Sequence, residues 1–144
     1  MFVPELPKTR LSGATRWLSS DKALIVQSLR YRTDDQFWFT FFHEAAHVLL
    51  HGKRARFVDE ADAERTPEED AADCFAADHL TPLAAYRQLA EASSPSEAQI
   101  VAFAETIGIA PGLVVGRLQH DGVIPFDRFQ DLKRKFRFAV DATS

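Results

Sequence analysis

The order of apolar and polar positions near the start of the chain predicts a small sheet. Residues 23–31 open with four apolar residues, from Ala23 to Val26, and then alternate between apolar and polar. Such a pattern is typical of a strand that is buried on at least one face. A second, shorter strand is expected at 14–18. We therefore expect residues 1–32 to form a sheet.

The next stretch is apolar at helical spacing and predicts one long helix. Thr33 and Gln36 fit a capping box at its start, and Gly52 is a natural stop at its end. A charged connection follows, in which Arg56–Val58 is a possible short edge strand. The next three helices are each announced by a hydroxyl residue before a proline, at Thr66-Pro67, Thr81-Pro82 and Ser94-Pro95.

Two further helices complete the predicted architecture. Ala110-Pro111 opens one that runs to about His120, and residues 126–136 form the last. We expect an α+β fold in which a small, mainly antiparallel sheet packs on the long helix and a C-terminal helical part follows. The chain is expected to be a single domain, 1–144, with its sheet-forming entry at 1–32, metal-site helices at 33–82 and a helical part at 83–144.

The long helix carries the one motif that names a chemistry, His43-Glu44-Ala45-Ala46-His47. Four helical residues advance about 400°, so His43 and His47 lie one turn apart on the same face and can grip one metal ion. Glu44 is turned about 100° away and can reach a water molecule at that ion. The pattern therefore indicates a zinc hydrolase.

Apolar residues flank the motif on nearly every side of the helix, which predicts that the helix is buried and that its aromatic residues pack in the core. Buried histidines beside a buried glutamate need a compensating partner, and a metal ion supplies one. This argues against a chance match in an ordinary helix. The flanking residues are Phe37, Trp38, Phe39, Phe41, Phe42, Val48, Leu49 and Leu50.

Two histidines leave a zinc ion in need of another protein ligand, with one position open for water in a catalytic site. In the helix that begins after Thr66, Glu69 and Asp73 lie four residues apart on one face. One carboxylate could bind the metal while the other orients a histidine ligand. Glu69 also lies three residues after Thr66 and could serve only as the acid of a capping box. The helical context leaves both interpretations open.

Composition limits the class of protein. The 144-residue chain has 46% hydrophobic residues, no membrane-length apolar run and a net charge of -4, which argues against direct nucleic-acid binding despite a basic stretch at 128–137. Its one cysteine, Cys74, cannot form an internal disulfide, and the N-terminus lacks the features of a secretory signal. We expect a cytoplasmic protein that does not associate with membranes.

Two blocks of the sequence resemble the ImmA/IrrE family of zinc metallopeptidase domains. The first is Phe39 to Gly52, and the second is Glu69 to Pro82. In the family a glutamate precedes a Phe-Ala-Ala triplet, and aligning Phe75-Ala76-Ala77 places that glutamate at Glu69. The family usually has glycine where this chain has Ala46, a change that favours a helix. The segments 11–32 and 107–120 also look like parts of family members.

The resemblance implies a metallo-endopeptidase. His43, His47 and Glu69 would bind zinc, or manganese as an alternative ion, Glu44 would act as the general base, and Asp73 would orient a ligand. The implied substrate is a helix-turn-helix DNA-binding repressor or an antitoxin, so that proteolysis couples a stress or mobile-element signal to gene expression. The four candidates for stabilising the oxyanion are His79, Tyr86, Arg117 and His120.

Two other functions stay open at this point. The chain could be a non-catalytic, metal-stabilised regulatory or interaction domain of a transcriptional regulator or a toxin-antitoxin system. A structural zinc site, however, needs no acid such as Glu44 beside its water. Direct DNA binding through residues 97–120 is the weaker option, because the net charge is acidic. His51 continues the 43, 47 series but lies about 12 Å along the helix from His43, too far to share its ion.

Overall fold

The computed structural model describes residues 1–4, 11–51, 57–60 and 65–139. In this part of the chain four strands form one sheet with the spatial order β1-β3-β2-β4. Strand β2 is antiparallel to β3 and to β4, and β1 runs parallel to β3. The sheet is thus mainly antiparallel. Its strands are β1 (Phe2–Val3), β2 (Leu11–Trp17), β3 (Ala23–Ser28) and β4 (Phe57–Glu60).

Five α-helices and one turn of 3₁₀ helix accompany the sheet in the described residues. They are α1 (Asp34–Leu50), α2 (Pro67–Leu80), α3 (Leu83–Glu91), α4 (Glu97–Ile107), α5 (Pro111–His120) and the 3₁₀ turn Gln130–Leu132. The α+β class is confirmed. No single helix of the described residues is long and apolar enough to cross a membrane, although α4 and α5, joined across a 113° bend, pass that test as a pair.

The long helix is confirmed, but the prediction of which residues it buries is wrong. None of the eight flanking apolar residues is fully buried, and Leu49 is 68% exposed. The buried positions are mostly polar and lie toward the sheet, α2 and α5. They are Asp34, Asp35, Thr40, His43, Glu44, Ala46 and His47. Apolar residues on every face of a helix do not predict which face is buried. In α1 the buried face is the one that carries His43, Glu44 and His47.

Strand β2 packs on the motif helix through its small residues. Gly13 and Thr15 are buried, whereas their neighbours Ser12, Ala14 and Arg16 are not, as expected when alternate residues point to opposite faces. A Cβ atom at Gly13 would lie 2.7 Å from the Glu44 carboxylate and 2.9 Å from the methyl group of Thr40. Glycine is therefore required for the close approach of β2 to α1.

Helix α5 packs against the start of α1 through two glycines. A Cβ at Gly112 would lie 2.5 Å from Asp34 Oδ1, and one at Gly116 would lie 2.6 Å from the Asp35 Cβ. The buried Asp35 carboxylate pairs with Lys133 Nζ at 2.8 Å. Burial of Asp34, together with the nearby Asp35 charge, raises the pKa of the Asp34 carboxyl. These contacts fix the N-terminus of the motif helix.

The C-terminal helices enclose their own apolar core. Every helix start announced by a proline is found within two residues of its predicted position, but two of the caps differ. Thr81 does not cap α3, because its hydroxyl donates to Ala77 O at 3.1 Å. Helix α4 is capped by Ser96 in a capping box with Gln99, not by Ser94. The core residues are Tyr86, Leu89, Ile100, Ala104, Val114, Val115, Leu118 and Ile124.

The predicted helix at 126–136 is wrong. Phe129 has a left-handed backbone (φ 59°), only Gln130–Leu132 forms a 3₁₀ turn, and Lys135 pairs with Thr33 in an antiparallel bridge. The backbone N–H of Asp34 donates to Arg134 O at 2.9 Å, so a distant segment takes the place of the predicted Thr33 capping box. Gly52 and Arg56, the predicted helix stop and strand start, lie outside the described residues.

Candidate metal centre

His43, His47 and Glu69 bring their side chains to one point between α1 and α2. The Nε2 atoms of the two histidines are 3.1 Å apart. Glu69 Oε2 lies 2.9 Å from His43 Nε2, and Glu69 Oε1 lies 3.2 Å from His47 Nε2. A tetrahedral zinc ion with bonds of about 2.0–2.1 Å separates its ligand atoms by about 3.3 Å. The three donors therefore fit a zinc ion.

The position of Glu69 distinguishes the two interpretations that the helical context left open. Its backbone N–H donates to Thr66 Oγ1 at 3.3 Å, so Thr66 does cap the helix. Its carboxylate, however, points to the histidines rather than back to the cap. The start of α2 at Pro67 thus places the Glu69 side chain against the two histidines of α1.

Asp73 occupies the position expected of a residue that orients a ligand. Its Oδ1 atom lies 2.8 Å from His43 Nδ1, and its Oδ2 atom accepts from Arg65 Nη2 at 2.8 Å. Burial opposes ionisation of Asp73, but the hydrogen bonds from His43 and Arg65 outweigh it and lower the pKa of the carboxyl. An ionised Asp73 accepts the Nδ1 proton of His43, which leaves the Nε2 lone pair for a metal.

His47 is prepared for ligation in a different way. Burial, followed by the nearby His43 and His51, lowers the pKa of His47 to about 4. The ring is therefore neutral at neutral pH, as a metal ligand must be. Its Nδ1 atom lies 3.0 Å from the Nδ1 atom of His51, the C-cap residue of α1. His51 thus contacts a candidate ligand, His47. The distance of His51 from His43 along an ideal helix did not predict this contact.

Glu44 is completely buried beside the two histidines. Its Oε2 atom accepts a hydrogen bond from the Thr15 hydroxyl, which also lies 3.2 Å from the Glu44 backbone oxygen. Gly13 packs against the same carboxylate from the next inward position of β2. Sequence reasoning missed both β2 residues. Alternation of Gly13 and Thr15 on one face of a strand was the available signal, but the strand was expected to begin only at 14.

The four oxyanion candidates are held by different neighbours. His79 stacks on Phe75, with ring centroids 3.9 Å apart. Tyr86 is 3% exposed in the C-terminal core, and the Arg117 guanidinium lies 4.7 Å from the centroid of its ring. His120 packs 5.6 Å from the ring of Phe39.

His120 is linked to the metal centre through one aromatic ring. The Phe39 ring that it contacts lies in turn 6.3 Å from the ring of His43. Tyr86 and Arg117 contact each other, and Arg117 Nε also donates to Asp121 at 2.8 Å. The assignment of an oxyanion-stabilising residue stays a prediction.

A family profile described as the IrrE N-terminal-like domain, a peptidase family, matches residues 16–119. The chain belongs to this family. The match spans β3, the motif helix, α2 and almost all of α5, so it includes His43, Glu44, His47, Glu69 and Asp73. The comparison with curated proteins gives no match. Membership of this peptidase family is consistent with a metal site formed by His43, His47 and Glu69.

Proposed function

We propose that this protein is a zinc-dependent endopeptidase that hydrolyses a peptide bond in a protein substrate. The observation that carries the proposal is the convergence of His43, His47 and Glu69, with Glu44 buried on the adjoining face of the same helix. Membership of a peptidase family supports it.

Each residue has a defined role in this proposal. His43, His47 and Glu69 would hold a zinc ion, which supplies a Lewis acid that polarises the scissile carbonyl and makes water more acidic. Glu44 accepts a proton from the attacking water and then delivers it to the leaving amine. The Thr15 hydroxyl fixes the Glu44 carboxylate, and Asp73 fixes the tautomer of His43.

We further propose that the substrate is a DNA-binding repressor of the helix-turn-helix class or an antitoxin, acting in the cytoplasm. This step rests on the resemblance of the two sequence blocks to the ImmA/IrrE family. Cleavage of such a protein would change transcription or release a toxin in response to a stress signal.

The second candidate function is a metal-stabilised interaction domain that binds a regulator without cutting it. Exposed apolar residues on the motif helix favour it: Trp38 is 39% exposed and Leu50 is 53% exposed. Such residues are common at protein interfaces. A purely structural zinc site, however, requires no buried acid at the position of Glu44.

The decisive experiment compares three zinc-loaded proteins with the repressor or antitoxin encoded beside this gene. They are the wild type, a Glu44→Gln variant, and a Glu105→Gln control that makes the same change at an exposed position of α4. We expect the wild type and the control to cut the substrate. Glu44→Gln should bind zinc with the same stoichiometry but lose at least about 100-fold of the activity, because it has no general base.

Two results would contradict the proposal. Cleavage by Glu44→Gln at the wild-type rate would exclude Glu44 as the base. Binding of the regulator by all three zinc-loaded proteins, without any cleavage, would establish the interaction domain instead.

A further inference from the structure

A cavity of about 100 Å³ lies between α1, α2 and α5. A water molecule occupies about 10–15 Å³ of such space, so the cavity has room for a group of several non-hydrogen atoms. Its walls include Phe39 from α1, Ala77 and Leu80 from α2, and Leu113 from α5. None of His43, Glu44, His47, Glu69 and Asp73 lines it, but two of the oxyanion candidates, Arg117 and His120, do.

The cavity nevertheless lies beside the metal centre along the two helices that carry it. On α1, Phe39 lies one turn before His43 on the same side of the helix, and on α2, Ala77 lies one turn after Asp73. The rings of Phe39 and His43 are 6.3 Å apart. A chain bound at the metal centre would therefore have this cavity about one helical turn away, or about 5 to 6 Å.

The lining favours an apolar occupant. Three charged or titratable groups line the wall, and each has a partner. Asp35 pairs with Lys133 at 2.8 Å, Arg117 Nε donates to Asp121 at 2.8 Å, and His120 Nδ1 lies 3.3 Å from Asp121 Oδ1. These groups are thus satisfied within the protein, and most of the accessible wall is formed by apolar atoms. Specificity pockets of this kind bind side chains by shape and apolar contact.

We propose that this cavity receives the apolar side chain of the substrate residue next to the scissile bond, with leucine, methionine or phenylalanine preferred over glycine. The inference rests on the proposed peptidase function and assigns its specificity to Phe39, Ala77, Leu80 and Leu113. Leu80, the last residue of α2, is the lining residue whose truncation would enlarge the cavity.

The test uses metal-chelating probes, so that it does not depend on turnover. The hydroxamates of N-acetyl-glycine, N-acetyl-leucine, N-acetyl-phenylalanine and N-acetyl-arginine are titrated into the zinc-loaded protein by calorimetry. The leucine and phenylalanine probes should bind at least about 10-fold more tightly than the glycine probe, as expected for filling an apolar pocket.

Two variants change the cavity in opposite directions. Ala77→Leu fills it and should reduce the leucine preference to below about threefold, whereas Leu80→Ala enlarges it and should shift preference toward phenylalanine. Leu83→Ala is the matched control, because Leu83 is 40% exposed on α3 and does not line the cavity. Thermal unfolding of each variant checks folding, and Leu80→Ala alone suffices if Ala77→Leu does not fold.

The outcomes separate the cavity from the reaction. Equal affinity for the glycine and leucine probes, or tightest binding of the arginine probe, overturns the apolar pocket even if the protein cuts its substrate. The predicted preference in a protein that cuts nothing supports the pocket and rejects the peptidase. Failure to bind any hydroxamate rejects both, because each probe must bind the metal before its side chain can enter the cavity.

Discussion

Replacement of Gly13 by alanine tests whether the position of Glu44 is set by strand β2. The new Cβ would lie 2.7 Å from Glu44 Oε1 and 2.8 Å from Glu44 Cγ, whereas ordinary contacts begin near 3.4 Å. The Glu44 carboxylate must therefore retreat by about 0.7 Å, the difference between 3.4 and 2.7 Å. Its hydrogen bond with Thr15 would be disturbed at the same time.

A shift of this size is large for a general base. Misplacement of a catalytic group by about 1 Å can cost on the order of 100-fold in rate, so we expect kcat/KM for substrate cleavage to fall by about 10- to 100-fold. Zinc affinity should stay within about threefold, because the three atoms nearest to the new Cβ belong to Glu44 and Thr40, and neither is a proposed ligand. The free energy of unfolding should fall by about 1–3 kcal/mol, as for other overpacked sites.

The assay combines cleavage kinetics, zinc competition with a chromogenic chelator, and urea unfolding. Ala14→Val is the control, because Ala14 is the next residue of β2 and points to the opposite face of the sheet. Activity within twofold of the wild type in Gly13→Ala would refute the reasoning. So would an equal loss in Ala14→Val, which would show a general effect on the strand.

Three further predictions concern the groups around α1. Asp73→Asn should weaken zinc binding by about 10- to 100-fold, because it removes the charged acceptor of the His43 Nδ1 proton. Competition with a chelator measures the zinc affinity, and an unchanged affinity would contradict this role of Asp73. Lys133→Met should lower the free energy of unfolding by about 3–5 kcal/mol, because it leaves the Asp35 charge buried without its cation. Urea unfolding tests it, and the double variant with Asp35→Asn should recover part of the loss. The raised pKa of Asp34 means that its contribution is fully present below the ordinary value of 3.8 and is lost as pH rises through the folded-state value. Asp34→Asn should therefore gain stability relative to wild type as pH rises above 3.8, and a difference that does not vary with pH would contradict this.

The elements that could be predicted are those whose signals are local. The cap at Thr66 followed by Pro67 placed the start of α2, and the apolar run with alternation placed β3. The helix expected at 126–136 failed because a tertiary contact overrides local preference there: Arg134 and Lys135 extend to pair with the start of α1. Nothing within a short window of sequence reports a partner that far away.

The candidate site divides in the same way. His43, Glu44 and His47 follow from helical spacing, and Glu69 required the resemblance of a second block, because spacing alone also allowed a capping acid. Gly13 was not predicted because its role depends on having no side chain, which leaves room for Glu44 and Thr40. This requirement for glycine can be recognised only from the packing of β2 against α1.

The pairing of Lys135 with Thr33 also has a consequence for the order of folding. These residues are separated by about 100 positions, and the bond from Asp34 N to Arg134 O spans the same distance along the chain. Contacts of such sequence separation form slowly, because the loop between them must be closed first. During synthesis, the first turn of α1 therefore stays without this support until residues 133–136 have emerged. We therefore expect His43, His47 and Glu69 to reach their final arrangement only after the ribosome has synthesised the segment 133–136.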